Sequence, residues 1–175
     1  MAAYHDEEWG RPLHDERRLF EMICLEGAQA GLAWSTILNR REGYREAYDG
    51  FEAERMAAYD DEHQAQLLTD ERIIRNRAKV RAFRNNAAAT VRLREQVGGL
   101  DVYLWNFVGG TPILNQRESM ADIPAKTPLA EELSRDLKQR GFGFVGPVIV
   151  YAYMQSVGLV NDHLVDCFRH PGATT

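Results

Sequence analysis

Apolar positions recur at helical spacing along most of the chain, and strict strand-like alternation is rare. Leu19, Met22, Ile23 and Ala30 share one face of a predicted helix that Asp15 caps and that runs to about Ala30. Ser35 can cap a second helix, reaching about Ala47, after which Asp49-Gly50 turns the chain. Short helical stretches follow near 52–59 and 62–68. The segment from Ile73 to about Gln96 is rich in Ala and Arg, which favour helix, and Gly98-Gly99 stops it. Leu100 to Val108 reads as another helix, ended by Gly109-Gly110. Thr127-Pro128 offers a hydroxyl cap and a proline at the first helical position, so a helix runs from there to Arg140 and stops at Gly141. Pro147 can open a helix through about Val157, although 148–153 is β-branched and aromatic enough for a strand. Asn161 or Asp162 can cap a last helix carrying His163 and Cys167. The pattern predicts an almost wholly α-helical protein without repeats or low-complexity tracts.

Composition narrows this picture. The 175 residues fit one compact domain or two small lobes sharing a core, and 45% apolar content builds that core without a disulfide staple. Cys24 and Cys167 are far apart and make no disulfide framework. Gly, Pro or charge interrupts every long apolar stretch, so none spans a bilayer. No secretory signal is visible, and cytoplasmic residence is the default expectation. The net charge of −5 argues mildly against nucleic acid as a partner. Its distribution argues the other way. Arg72, Arg75, Arg77, Lys79, Arg81, Arg84, Arg92 and Arg94 fall in a window with no Asp or Glu, and such a local face can bind phosphates despite a negative total.

Four segments carry a resemblance. They are Tyr4-His5-Asp6-Glu7-Glu8-Trp9-Gly10; Phe20-Glu21-Met22-Ile23-Cys24-Leu25-Glu26-Gly27 with Gln29-Ala30-Gly31-Leu32-Ala33-Trp34; Ile73-Ile74-Arg75-Asn76-Arg77-Ala78-Lys79; and Arg140-Gly141-Phe142-Gly143-Phe144-Val145-Gly146-Pro147 with Gly158-Leu159-Val160-Asn161-Asp162-His163. In this order and spacing the chain closely resembles, over essentially its whole length, the constitutive bacterial type I 3-methyladenine DNA glycosylases. The resemblance implies the all-α helix-hairpin-helix glycosylase fold, with two helical lobes flanking a base pocket within one compact domain over 1–175. The lobe over 15–99 would carry the hairpin motif near 64–84, and 1–14 plus 100–175 would form a terminal lobe with a zinc-type site. It also implies base-excision DNA repair in a bacterial cytoplasm. The enzyme would be a monofunctional glycosidase that hydrolyses 3-methyladenine from double-stranded alkylated DNA. Free base and an abasic site would be left, and no membrane is involved. Monomer is the default.

The lesion base is a cation on an already weak glycosidic bond, so the pocket must extract and hold it more than activate it. Trp34 can stack on the flipped base and gain cation–π attraction, or be a core tryptophan. Glu26 stands in an apolar stretch, where a carboxylate needs a partner. The exocyclic amine of adenine is one candidate, and Arg18 or another base beside the polar side of the helix is the alternative. Glu26 is also the candidate catalytic residue, by recognition, electrostatics or water positioning. In the family the tyrosine matching Tyr4 binds the base, and Trp9 is either a pocket wall or core.

The superfamily hairpin is expected near Thr69–Arg72, with its second helix from about Ile73. Arg72, Arg75, Arg77 and Lys79 are the candidate phosphate contacts. Arg72 stands where glycine is common. Leu32, on the loop before Trp34, can wedge into the gap left by a flipped base, or simply be buried. The resemblance assigns His5, His163 and Cys167 to structural zinc. Its fourth ligand there is a cysteine upstream of the Tyr-His pair, and the three residues before Tyr4 include none, so the ligand set is incomplete. The readings from other classes are a non-catalytic DNA- or lesion-binding helical protein and a zinc-stabilised interaction domain.

Overall fold

The computed structural model describes residues 1–172. Its α-helices are α1 (Ala2–Glu7), α2 (Glu16–Gln29), α3 (Trp34–Leu38), α4 (Arg41–Ala47), α5 (Ala53–Ala57), α6 (Asp61–Leu67), α7 (Arg77–Val97), α8 (Leu100–Phe107), α9 (Pro128–Gln139) and α10 (Pro147–Ser156). Two-residue strands β1 (Ile113–Leu114) and β2 (Val160–Asn161) pair in parallel. The fold is all-α, as the hydrophobic spacing requires.

The caps work locally. The Asp15 side chain accepts from the Arg18 amide at 2.8 Å and opens α2. The Thr127 hydroxyl accepts from the Ala130 amide, with Pro128 in the first turn, and opens α9. Satisfying such otherwise orphaned amides contributes about 1 kcal/mol each.

α2 is the central element. From Leu19 to Ala28 every residue is buried, which far exceeds one amphipathic stripe. It packs against α3, α7, α8 and α10, and the Tyr153 hydroxyl of α10 donates to the Leu19 carbonyl at 3.0 Å. Each large apolar side chain so buried contributes about 1.5–3 kcal/mol. No helix of the described residues is long and apolar enough to cross a membrane.

Three expectations need correction. The Ser35-to-Ala47 helix is two helices, α3 and α4, and α3 is entered at Ala33 without a side-chain cap. The long basic helix starts at Arg77, capped by Asn76, rather than at Ile73. Long-range bonds hold 68–76 as a loop: the Ile74 amide donates to the Tyr44 hydroxyl and Arg40 donates to the Glu71 carbonyl. The helix expected from Pro147 forms as α10, and the strand alternative for 148–153 does not, because Pro147 begins the helix and α2 and α9 cover it. Among the described residues no helix follows Asn161. His163 and Cys167 stand on turns beyond β2, held against the 113–117 segment by β1–β2 pairing and an Arg117–Leu164 bridge.

Candidate active site

α2 buries two carboxylates, and their surroundings differ. Glu21 is paired with Arg41 at 2.5 Å and Arg45 at 2.9 Å. Glu26, 5% exposed, has no ion-pair partner among the described residues. Arg18 does not supply one, because its guanidinium turns to Glu8 at 3.4 Å. Burial therefore pushes the Glu26 carboxyl up to about 8, opposed only by the Ser156 hydroxyl. A protonated or nearly protonated acid in the apolar centre of a helix is a group awaiting a partner.

Tyr4 and Trp34 stand beside it. Their ring centroids are 5.6 Å apart and tilted by 56°. Burial, then the neighbouring Glu26 and Glu8, raises the Tyr4 hydroxyl well above its usual range, so it stays a neutral O–H donor. The Trp34 indole Nε1 is buried with no hydrogen-bond partner. Both rings line an open cavity of about 460 Å³ with overwhelmingly apolar walls. Met120 and Ile123 close it from the loop between β1 and α9, and Trp9 and Leu164 complete it. Glu26 is not itself on the wall. Its charge acts on the neighbouring Tyr4 hydroxyl, which is on the wall.

A second recess of about 440 Å³ lies beside α2, α5 and α7, but its charges are used within it by Arg17–Glu52 and Arg94–Glu54 pairs. The Tyr4–Trp34 cavity is the one with unsatisfied chemistry.

Glycine permits the close packing here. A Cβ on Gly27 would meet the Phe144 Cβ at 3.0 Å, so glycine lets the 142–146 loop press on α2 next to Glu26. Phe144 itself adopts a left-handed backbone, φ 55°, a strained state that marks this contact as constrained.

One end of the cavity is a cluster of His5, His163 and Cys167. Their ligating atoms all lie within 4.8 Å of one another. Cys167 Sγ is 3.7 Å from His5 Nε2 and 3.6 Å from His163 Nδ1, and ligands around tetrahedral zinc stand about 3.5 Å apart. The far ring nitrogens are engaged: His163 Nε2 with the Trp9 carbonyl at 3.1 Å and His5 Nδ1 with Asp6 at 2.8 Å. Such outer bonds fix which nitrogen faces a metal. Gly10 makes this possible, since a Cβ there would meet His163 Nε2 at 2.8 Å and its φ is +74°. The donor set fits zinc with three protein ligands. Cys24 is fully buried away from this cluster with a raised thiol.

Asp162 is the residue that motif reading did not place in the site. Burial would raise its carboxyl, but donors from Tyr151, Gln155, Arg117 and Asn115 outweigh that and hold it low. It thereby ties the 115–117 segment, which leads into the Met120–Ile123 loop, to α10 just before the His163 turn. Its only sequence signal was its place in Asn161-Asp162-His163.

The basic candidates separate. Arg77 is exposed in the first turn of α7. Arg75 is exposed with only a loose contact to Glu71 at 3.8 Å. Arg72 is tied to Asp70 and Glu46, both at 2.7 Å. Lys79 does not present its ammonium to a phosphate. It is buried, and Nζ donates to the Ala28 and Ala30 carbonyls at 2.7 and 2.8 Å, closing the C-terminal end of α2. Leu32 sits half-buried on the turn between α2 and α3.

A family model described as methyladenine glycosylase matches residues 1–170. The chain is 45% identical over 170 residues to DNA-3-methyladenine glycosylase 1 of Escherichia coli (strain K12), covering 97% of this chain and 91% of that protein. A crystal structure of 3-methyladenine DNA glycosylase I matches at a TM-score of 0.95 and 47% identity, over 97% of this chain and 93% of the other. A variant of 3-methyladenine DNA glycosylase I in complex with 3-methyladenine matches at 0.95 and 38%, over 97% and 91%.

Proposed function

The chain belongs to the methyladenine glycosylase family, and from that membership we propose how its cavity removes 3-methyladenine from DNA. The activity is that of a DNA-repair glycosylase. A base in a duplex is unreachable in the stack, so the lesion nucleotide turns out of double-stranded DNA and its base enters the Tyr4–Trp34 cavity. The cationic ring stacks on Trp34, where apolar walls strengthen the cation–π attraction. The Tyr4 O–H donates to a ring nitrogen. Glu26 accepts from the exocyclic amine, and the incoming positive charge favours its ionised form.

Water then attacks the sugar carbon, and the glycosidic electron pair leaves with the base, which departs neutral. The attacking water passes its surplus proton to solvent, and an abasic site remains. The base needs no protonation before departure, so recognition and electrostatic stabilisation suffice for Glu26. Arg75, Arg77 and the amides at the start of α7 hold phosphate beside the cavity, and Leu32 fills the vacated stack. His5, His163 and Cys167 would hold a structural zinc that ties the N-terminal segment to the C-terminal turn. The protein acts as a monomer.

The observation that carries this reading is a buried, ion-pair-free Glu26 beside an aromatic pair on an apolar cavity. Chromatography of methylated duplex DNA after incubation tests it: free 3-methyladenine appears if it holds. A DNA- or lesion-binding protein without catalysis would retard the duplex in a gel and release nothing.

A further inference from the structure

α7 carries Arg77, Lys79, Arg81, Arg84, Arg92 and Arg94 and no acid before Glu95. Two of the six are unavailable to an outside anion: Lys79 is buried on α2 carbonyls, and Arg94 is neutralised by its pair with Glu54. Arg77, Arg81, Arg84 and Arg92 form no ion pair with any described residue, although most arginines elsewhere do. Arg77, Arg81 and Arg92 are exposed and Arg84 is half-buried, its Nε without a partner.

At 3.6 residues per turn, positions 77, 81, 84, 88 and 92 fall within an arc of about 80°, and they span about 22 Å. Ala88 holds the fifth position, so nothing acidic interrupts the row. The opposite face, with Val80, Phe83, Ala87 and Leu93, is the one packed into the core. Like charges one turn apart repel by a few tenths of a kcal/mol per pair. The fold carries that repulsion without an internal counter-charge.

We propose that this row is a track for the phosphate backbone of duplex DNA outside the lesion site, extending the contact that begins at Arg77. The inference rests on the glycosylase reading. Its length matches about six nucleotides of one strand at 3.4 Å each. Arginine suits the task, because its planar fork bonds phosphate oxygens in pairs. The far end is braced, since Arg92 donates to the Arg140 carbonyl at 3.2 Å. An enzyme whose lesions are rare gains from holding undamaged duplex through charge alone while it searches.

The test is the salt dependence of binding to an undamaged 40-base-pair duplex. Each phosphate contact contributes about 0.9 to the slope of log K against log salt. The R81Q/R84Q/R92Q variant should lose about 2–3 from that slope. Raising salt from 50 to 200 mM should then cost the wild type about 40 times more affinity than the variant. An R11Q/R135Q/K138Q variant, with the same change in charge on exposed cations off the row, should keep the wild-type slope. Circular dichroism and thermal melting establish that both variants are folded. An unchanged slope in the first variant, or an equal fall in both, overturns the proposal. Base release by the wild type is scored separately, so failure of the glycosylase reading would be seen without touching the slope.

Discussion

The ring of Tyr4 lies 5.6 Å from that of Trp34, tilted by 56°, so residues from α1 and the start of α3 form one corner of the cavity. Trp34→Ala removes the stacking face. The free base is neutral, so stacking alone, about 2 kcal/mol, is lost, and binding of free 3-methyladenine should weaken about 30-fold. Trp34→Phe should recover part of that loss. Titration calorimetry with the free base checks both.

Glu26 makes stability depend on pH. Burial pushes its carboxyl up to about 8 in the folded protein, against about 4.5 for a free glutamate. Between these values the native state holds a proton that the unfolded chain has lost, so stability falls as pH rises. The loss is on the order of 3 kcal/mol by pH 7. Glu26→Gln should flatten the denaturation midpoint over pH 5–8 and be more stable than wild type at pH 8. A parallel decline in both proteins would show that Glu26 is not the titrating group.

Lys79 distinguishes a structural from a phosphate-binding role. Its ammonium joins the Ala28 and Ala30 carbonyls just before the Leu32–Trp34 turn. Lys79→Met strands both carbonyls and should cost about 2–4 kcal/mol in denaturant unfolding. The salt slope for undamaged duplex should not change.

The His5, His163 and Cys167 cluster should bind one zinc per chain. Metal analysis of purified protein checks this, and Cys167→Ser should lower the content. Chelation should reduce the melting temperature more than it reduces the affinity for free base, because Tyr4, Glu26 and Trp34 lie outside the ligand set.

Much of the fold was legible because it rests on local chemistry. Asp15, Thr127-Pro128 and the Gly98-Gly99 stop act on neighbouring amides, and the helices they bound fall where the pattern places them. The start of α7 was misplaced by several residues because Tyr44 and Arg40, distant in sequence, hold 68–76 out of the helix. The segment after Asn161 was misread for a similar reason: parallel pairing with 113–117 replaces the intrahelical bonds. The pocket residues Tyr4, Trp9 and Trp34 were legible through motif resemblance. Met120, Ile123 and the Asp162 brace were not, since a loop that becomes a cavity wall through one buried carboxylate leaves no periodic trace.

The most direct measurement is single-turnover release of 3-methyladenine from methylated duplex by wild type and Glu26→Gln. Enzyme is in excess, and the pH is near 8. The account predicts release by the wild type and a fall of about 100-fold or more in the variant, the scale of losing one buried charge-stabilising contact. Equal rates in two folded proteins would contradict the role given to Glu26. Absence of free base with the wild type would contradict the activity itself.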